Sequence, residues 1–175
     1  EAVEDGIISW DQKITVSENA SGMGGSQILL ETGEQMSVDD LFKGVAIMSG
    51  NDAVVALAEA VAGTEDEFVK MMNKRAKELG LKDSVFKNPH GLDDANHYSS
   101  AYDMALIAIE LLKHDEILEF SSVYEDYLRE NTENKFWLVN TNKLVRFYEG
   151  ADGLKTGHTD NAGYCLAATA KKNGM

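Results

Sequence analysis

Asp152-Gly153-Leu154-Lys155-Thr156-Gly157-His158-Thr159, near the C-terminal end, is the stretch from which this chain is read. It places a cation, a hydroxyl and a position without a side chain in a row. Leu154–His158 and Tyr164–Ala170 read as two strands, with Asp160-Asn161-Ala162-Gly163 as the turn between them. A lysine beside a hydroxyl suits a carboxylate, since the cation supplies the field and the hydroxyl a directional donor. A glycine on a strand lets another backbone lie alongside without a Cβ clash. An extended peptide could then pair with that strand as an added edge.

Working outward, Ser49-Gly50-Asn51 is written in related chemistry. Ser37-Val38-Asp39-Asp40 starts a helix that carries Leu41, Val45 and Met48 at helical spacing. The tripeptide interrupts it. A second helix follows with Val54, Leu57, Ala58 and Val61 on one face and Gly63 at its end. A break between helices exposes side chains to a cleft, where a Ser hydroxyl can relay a proton and an Asn amide can grip a peptide group. Alone, Lys-Thr-Gly is more often a turn and Ser-Gly-Asn a plain interhelix linker. Together they predict one cleft with a motif on each side.

The remaining elements are ordinary. Lys13–Val16 and Gln27–Leu30 read as short strands around a glycine-rich loop, Ala20–Ser26. That loop lacks the Gly-Lys-Ser/Thr ending of a phosphate cradle and reads as a plain loop. Thr64-Glu65-Asp66-Glu67 caps a third helix that ends at Gly80, and Ser84–Phe86 reads as a strand. Asn88-Pro89-His90-Gly91-Leu92 is a turn. Tyr98-Ser99-Ser100 starts a fourth helix, and a short one spans Asp115–Phe120. Ser121–Tyr148 is extended, with Asn140-Thr141-Asn142 capping a short helix.

The 175 residues suffice for one domain with a real core. With 43% hydrophobic and 26% charged residues, the composition is that of a globular chain. A formal charge of −14 and no cluster of Lys and Arg exclude a nucleic-acid partner. The single cysteine, Cys165, lies in an apolar run and predicts a buried free thiol, which leaves the compartment open. The methionines read as core filler. His90, His97, His114 and His158 show no metal-ligand spacing, so no metal or other cofactor is expected. No apolar run approaches the roughly 18 residues of a membrane helix. Glu1–Gly6 looks like the last turns of a helix, and Asn173-Gly174-Met175 like a turn whose second strand is cut away. Both ends suggest a fragment.

These motifs, in this order, resemble those of low-molecular-mass penicillin-binding proteins, the serine-type D-alanyl-D-alanine carboxypeptidases. Ser49-Gly50-Asn51 is similar to that family's Ser-x-Asn motif, and Asp152–Thr159 with Ala162-Gly163-Tyr164 is the most specific match. His90-Gly91-Leu92, Tyr98–Ala101 and Asp103-Met104-Ala105 resemble family stretches between them. The resemblance covers residues 1–175 and implies one partial catalytic domain of α+β class, truncated at both ends. Its helices would pack on a mainly antiparallel sheet, as in β-lactamases and transpeptidases. It implies that Ser49 shuttles a proton, Asn51 holds the substrate carbonyl, and Lys155 and Thr156 bind the C-terminal carboxylate. Gly157 would allow close approach, and the backbone N–H of His158 would be an oxyanion donor. The implied partners are peptidoglycan pentapeptides ending in D-Ala-D-Ala and β-lactam antibiotics. The implied location is extracytoplasmic, held at the membrane by a C-terminal anchor not present here.

One family motif is missing. The catalytic Ser-x-x-Lys should precede Ser49, yet the chain's one such run is Ser84-Val85-Phe86-Lys87, in a strand-like segment that would point the two side chains apart. The chain by itself is therefore expected to be inactive, with exposed apolar surface and marginal stability or association. Two rival readings stand beside the carboxypeptidase. A class A β-lactamase would use a Glu over the site, for which Glu130-Asn131-Thr132-Glu133-Asn134 offers a Glu-x-x-x-Asn spacing. A non-catalytic peptidoglycan-peptide binding module would keep the Lys155–Thr156 carboxylate site and no nucleophile.

Overall fold

The computed structural model describes residues 1–172; the Asn173-Gly174-Met175 turn expected from the sequence lies outside them. The chain runs through β1 (Lys13–Thr15), α1 (Glu18–Ser21), β2 (Gln35–Ser37), α2 (Val38–Met48), α3 (Asn51–Ala62) and α4 (Glu65–Glu78). It continues through α5 (Ala101–Leu111), α6 (Glu116–Ser121), β3 (Glu125–Leu128), β4 (Phe136–Val139), α7 (Leu144–Phe147), β5 (Ala151–Thr159) and β6 (Gly163–Ala170). The mixed helix and antiparallel-strand class holds. Among the described residues the strands form three two-stranded antiparallel ladders, β1–β2, β3–β4 and β5–β6.

Local chemistry sets the helix starts. Ser37 Oγ accepts from the Asp40 amide at 3.1 Å, Thr64 Oγ1 from Glu67 at 3.2 Å and Ser100 Oγ from Asp103 at 3.1 Å. Each satisfies a donor that has no partner inside its own helix. At the N-terminus one helical turn closes through Ile7 N donating to Ala2 O at 2.9 Å and Gly6 N to Val3 O at 3.0 Å. Gly6 closes this turn at φ 70°, and no helix is assigned over residues 1–6, where the sequence suggested the last turns of one. The core gathers α2, α3 and the β3–β4 ladder around Ile28, Leu41, Ile47, Val55, Leu128 and Leu138, all buried.

Several expectations fail for physical reasons. Gln27–Leu30 forms no strand, and Leu29 within it turns into the left-handed region at φ 58°; the partner of β1 is Gln35–Ser37 instead, with Ile14 opposite Met36. The backbone groups of residues 28–30 are taken by side chains. The Asp52 carboxylate accepts from Ile28 N at 3.1 Å and Leu30 N at 3.0 Å. The Arg129 guanidinium donates to Ile28 O at 3.2 Å and Leu29 O at 3.3 Å, and pairs with Glu34 at 2.6 Å. Ser84–Phe86 makes one isolated bridge, Val85 to Tyr98, while the Phe86 amide and carbonyl bind the Asn73 side chain at 3.0 and 2.7 Å.

Cys165 is exposed rather than buried, beside Tyr164 at 92% and Leu166 at 54% exposure. An apolar run buries its thiol only where a second layer covers that face, and no described residue does so here. Met71 and Met104 are likewise exposed. Met71 lines an open apolar groove of about 580 Å³ together with Trp10, Phe42, Val54, Leu57 and Ile107. No helix among the described residues is long and apolar enough to cross a membrane.

Candidate functional site

The break between α2 and α3 is built by two residues. Ser49 ends α2 in the left-handed region at φ 61°, ψ 39°, and Gly50 returns to an extended conformation to open α3. The Ser49 amide donates to Val45 O at 3.1 Å and the Gly50 amide to Gly44 O at 3.0 Å. A left-handed serine costs on the order of 1 kcal/mol or more, a strain found most often at functional positions. It turns the hydroxyl out of the helix axis toward β5.

There the hydroxyl meets Lys155. The Lys155 Nζ donates to Ser49 Oγ at 2.8 Å and to Thr156 O at 2.9 Å. The fold thus brings the two motifs, about a hundred positions apart in sequence, into direct contact. Burial pushes the Lys155 ammonium down to about 8, because the amine has lost water and no carboxylate among the described residues compensates it. A lysine in that state is poised either to receive an anion or to give up its proton at mildly alkaline pH.

Thr156 extends the site. Its hydroxyl lies 2.6 Å from that of Thr141, and the Thr141 amide donates to Ile47 O at 3.0 Å in the last turn of α2. Thr141 therefore ties β5 to the helix that carries Ser49. Sequence reasoning placed it only in a capping triplet; Asn142 Oδ1 does accept from the Leu144 amide at 3.1 Å, but the contact of Thr141 with Thr156 is tertiary and has no local signal.

Asn51 is 6% exposed, and its Nδ2 donates to Gly24 O at 2.7 Å while its amide donates to Ser26 O at 2.8 Å. The glycine-rich loop is therefore the brace of Asn51. Gly25 sits at φ 79°, and a Cβ there would come within 2.6 Å of Asn51 Nδ2. One Nδ2 hydrogen and Oδ1 of Asn51 remain for other partners. At Gly157 a Cβ would meet ordinary contact, 3.6 Å from Cys165 Cβ, so the fold tolerates a side chain there and the glycine leaves free space along β5. His158 is exposed, and its ring packs on that of its cross-strand partner Tyr164 with centroids 4.4 Å apart. Thr159 Oγ1 donates to Asp93 Oδ1 at 2.7 Å, which fastens the end of β5 to the loop after His90-Gly91-Leu92.

Two other sequence candidates lie apart from this chemistry. Ser84 Oγ donates to the buried Asp103 Oδ2 at 2.7 Å and contacts Ser99 Oγ at 2.8 Å, a structural network without Lys87. Glu130 is exposed in the β3–β4 turn and pairs with Lys135 at 3.7 Å. No group of three or more metal-ligating side chains occurs among the described residues.

Comparison with known proteins shows the family. Residues 1–175 match the Peptidase S11 family, described as D-alanyl-D-alanine carboxypeptidase. The chain is 61% identical over its full length to D-alanyl-D-alanine carboxypeptidase DacF of Bacillus subtilis, covering 45% of that protein. It is 42% identical over 87% of its length to DacA of Escherichia coli K12, covering 37% of that protein. The chain thus spans less than half the length of these relatives. The crystal structure of DacD from Francisella tularensis superposes with a TM-score of 0.92 at 32% identity, over 99% of this chain and 54% of that one. Penicillin-binding protein D2 of Listeria monocytogenes in its cefotaxime-bound form superposes with a TM-score of 0.84 at 34% identity, over 99% and 69% of the two chains.

Proposed function

The chain belongs to the D-alanyl-D-alanine carboxypeptidase family, and from that premise we propose that the protein carrying it removes the terminal D-alanine of peptidoglycan stem peptides through an acyl-enzyme and is inhibited by β-lactams. The observation that carries this reading is the 2.8 Å contact between Lys155 Nζ and Ser49 Oγ across the cleft. Lys155 and the Thr156 hydroxyl receive the carboxylate of the last D-alanine, and the bound anion supplies the countercharge that buried Lys155 lacks. The substrate backbone lies along β5, in the space left at Gly157. The free Asn51 amide hydrogen holds the substrate's peptide carbonyl. The His158 N–H donates to the oxyanion, a contact worth roughly 3 kcal/mol in the transition state.

The serine that attacks the carbonyl of the penultimate residue is supplied by the protein outside this chain. As the C–N bond breaks, Ser49 passes the nucleophile's proton to the departing amine; water then hydrolyses the ester and frees the enzyme. The cell wall places this activity outside the cytoplasmic membrane. Ser84 takes no part, so the isolated chain is expected to form no penicillin adduct.

The test is D-alanine release by the whole protein. A peptide ending in D-Ala-D-Ala should yield one D-alanine, its C-terminal amide should yield none, and Ser49→Ala should lower kcat roughly 100-fold or more. Equal turnover of the acid and the amide, or full activity in Ser49→Ala, would contradict the assignment.

A further inference from the structure

We propose that Thr141 is a positioning residue for carboxylate recognition: its hydroxyl donates to Thr156 Oγ1 and thereby directs the single proton of Thr156 at the ligand. The inference rests on the carboxylate site proposed above and deepens it. The two hydroxyl oxygens are 2.6 Å apart, so one of them gives its proton to the other. A threonine hydroxyl has one proton to donate. If Thr156 spent it on Thr141, it would present only lone pairs to an incoming carboxylate and would repel it. With Thr141 as the donor, Thr156 accepts one hydrogen bond and offers another, and the first strengthens the second by polarisation.

The backbone of Thr141 is suited to this task. Its amide is fixed to Ile47 O at 3.0 Å, two residues before Ser49. On one side of it Asn140 Nδ2 donates to Ser121 O at 3.1 Å and Val123 O at 2.7 Å. On the other, Asn142 Nδ2 donates to Gly153 O at 2.9 Å in β5. Both asparagines are buried, whereas Thr141 is exposed. The segment is thus pinned at each flank, and the one side chain left at the surface is aimed at Thr156. The same residues hold the distance between the α2–α3 break and β5 constant, so Lys155 and Thr156 keep a fixed spacing to Ser49.

The experiment compares the otherwise unaltered protein, Thr141→Val and Thr141→Ser by calorimetric titration, each in the whole protein with its attacking serine replaced by alanine so that the peptide is bound and not cleaved. The probes are an N-acylated peptide ending in D-Ala-D-Ala and its C-terminal amide, at pH 7, with thermal unfolding recorded for each protein. Valine keeps the shape and removes the donor; serine keeps the donor. The expected result is about tenfold weaker binding of the acid by Thr141→Val, the scale of an impaired hydrogen bond to a charged group. Thr141→Ser should retain the affinity of the otherwise unaltered protein, and the amide should bind weakly and alike to all three. Unchanged acid affinity in Thr141→Val would overturn the inference and leave the carboxylate site standing. Equal losses for acid and amide, or failure of serine to rescue, would overturn it by showing a merely structural role. An otherwise unaltered protein that does not distinguish acid from amide would overturn both the site and this inference.

Discussion

Lys155→Met is expected to weaken carboxylate binding and to stabilise the fold. The folded protein releases the Lys155 proton near pH 8, whereas the ordinary value is 10.5. The folded-state value is depressed, so the unfolded chain binds more protons between the two. Burial of the ammonium therefore lowers stability fully below pH 8, and the penalty fades as pH rises toward 10.5. That difference corresponds to an upper bound of about 3 kcal/mol at neutral pH. Methionine keeps the apolar stem and removes the charge, while Ser49 Oγ and Thr156 O lose a donor. The net gain should be about 1–2 kcal/mol by denaturant titration at pH 7. Binding of a peptide carboxylate should fall roughly 10- to 100-fold, the scale of a lost charge-assisted hydrogen bond. A variant that is destabilised and still binds would show that Lys155 is a structural cation.

Asp52→Ala is expected to cost about 3–5 kcal/mol of stability, although Asp52 touches no proposed ligand. Its carboxylate is 1% exposed and accepts from the amides of Ile28, Leu30 and Ala53, the last at 2.9 Å. Alanine leaves those donors without acceptors in a site that water does not reach, and each bond to a charged group contributes about 1.5–3 kcal/mol. Asp52→Asn keeps one acceptor oxygen and should lose about half as much. The damage should extend to function, because Gly50 lies against both Asp52 and Ile28: a Cβ there would come within 3.0 Å of the carboxylate and 3.2 Å of Ile28 Cγ2. Denaturant midpoints for the two variants settle the matter, and a loss below about 1 kcal/mol in Asp52→Ala would count against this role.

The same residues show why parts of the fold were legible in the sequence and others were not. Ser37, Thr64 and Ser100 announce their helices because a cap acts within one turn of itself. The β5–β6 hairpin is legible for the same reason, as two strands joined by Asp160-Asn161-Ala162. Gln27–Leu30 misleads because its apolar pattern reports burial correctly, with Ile28 at 0% exposure, but not the partner. Its hydrogen bonds go to Asp52 and Arg129, the latter about a hundred positions away, and no local rule locates them. Cys165 misleads in the opposite sense, since strand composition cannot say which face receives a second layer.

At the site, Ser49, Lys155 and Thr156 were legible because their residue types carry the chemistry. The brace of Asn51 by Gly24 and the contact of Thr141 with Thr156 were not, because Gly24 and Thr141 are unremarkable in type and act only through position. The loop from Ala20 to Ser26 shows the distinction well. It is a plain loop by its own sequence, yet the φ 79° of Gly25 is what lets it close over Asn51.

The most direct test of the proposed carboxylate site is the titration of Lys155 itself, followed by NMR at its Cε in the protein with its attacking serine replaced by alanine, free and with saturating N-acyl-D-Ala-D-Ala. The predicted result is a midpoint near 8 in the free protein that moves upward with the acid and stays in place with the C-terminal amide. Affinity for the acid should correspondingly hold steady below pH 8 and weaken by up to about tenfold per pH unit above it. A midpoint that ignores the acid, or that moves equally with the amide, would mean that the anion does not sit on Lys155, and the proposed site would be wrong.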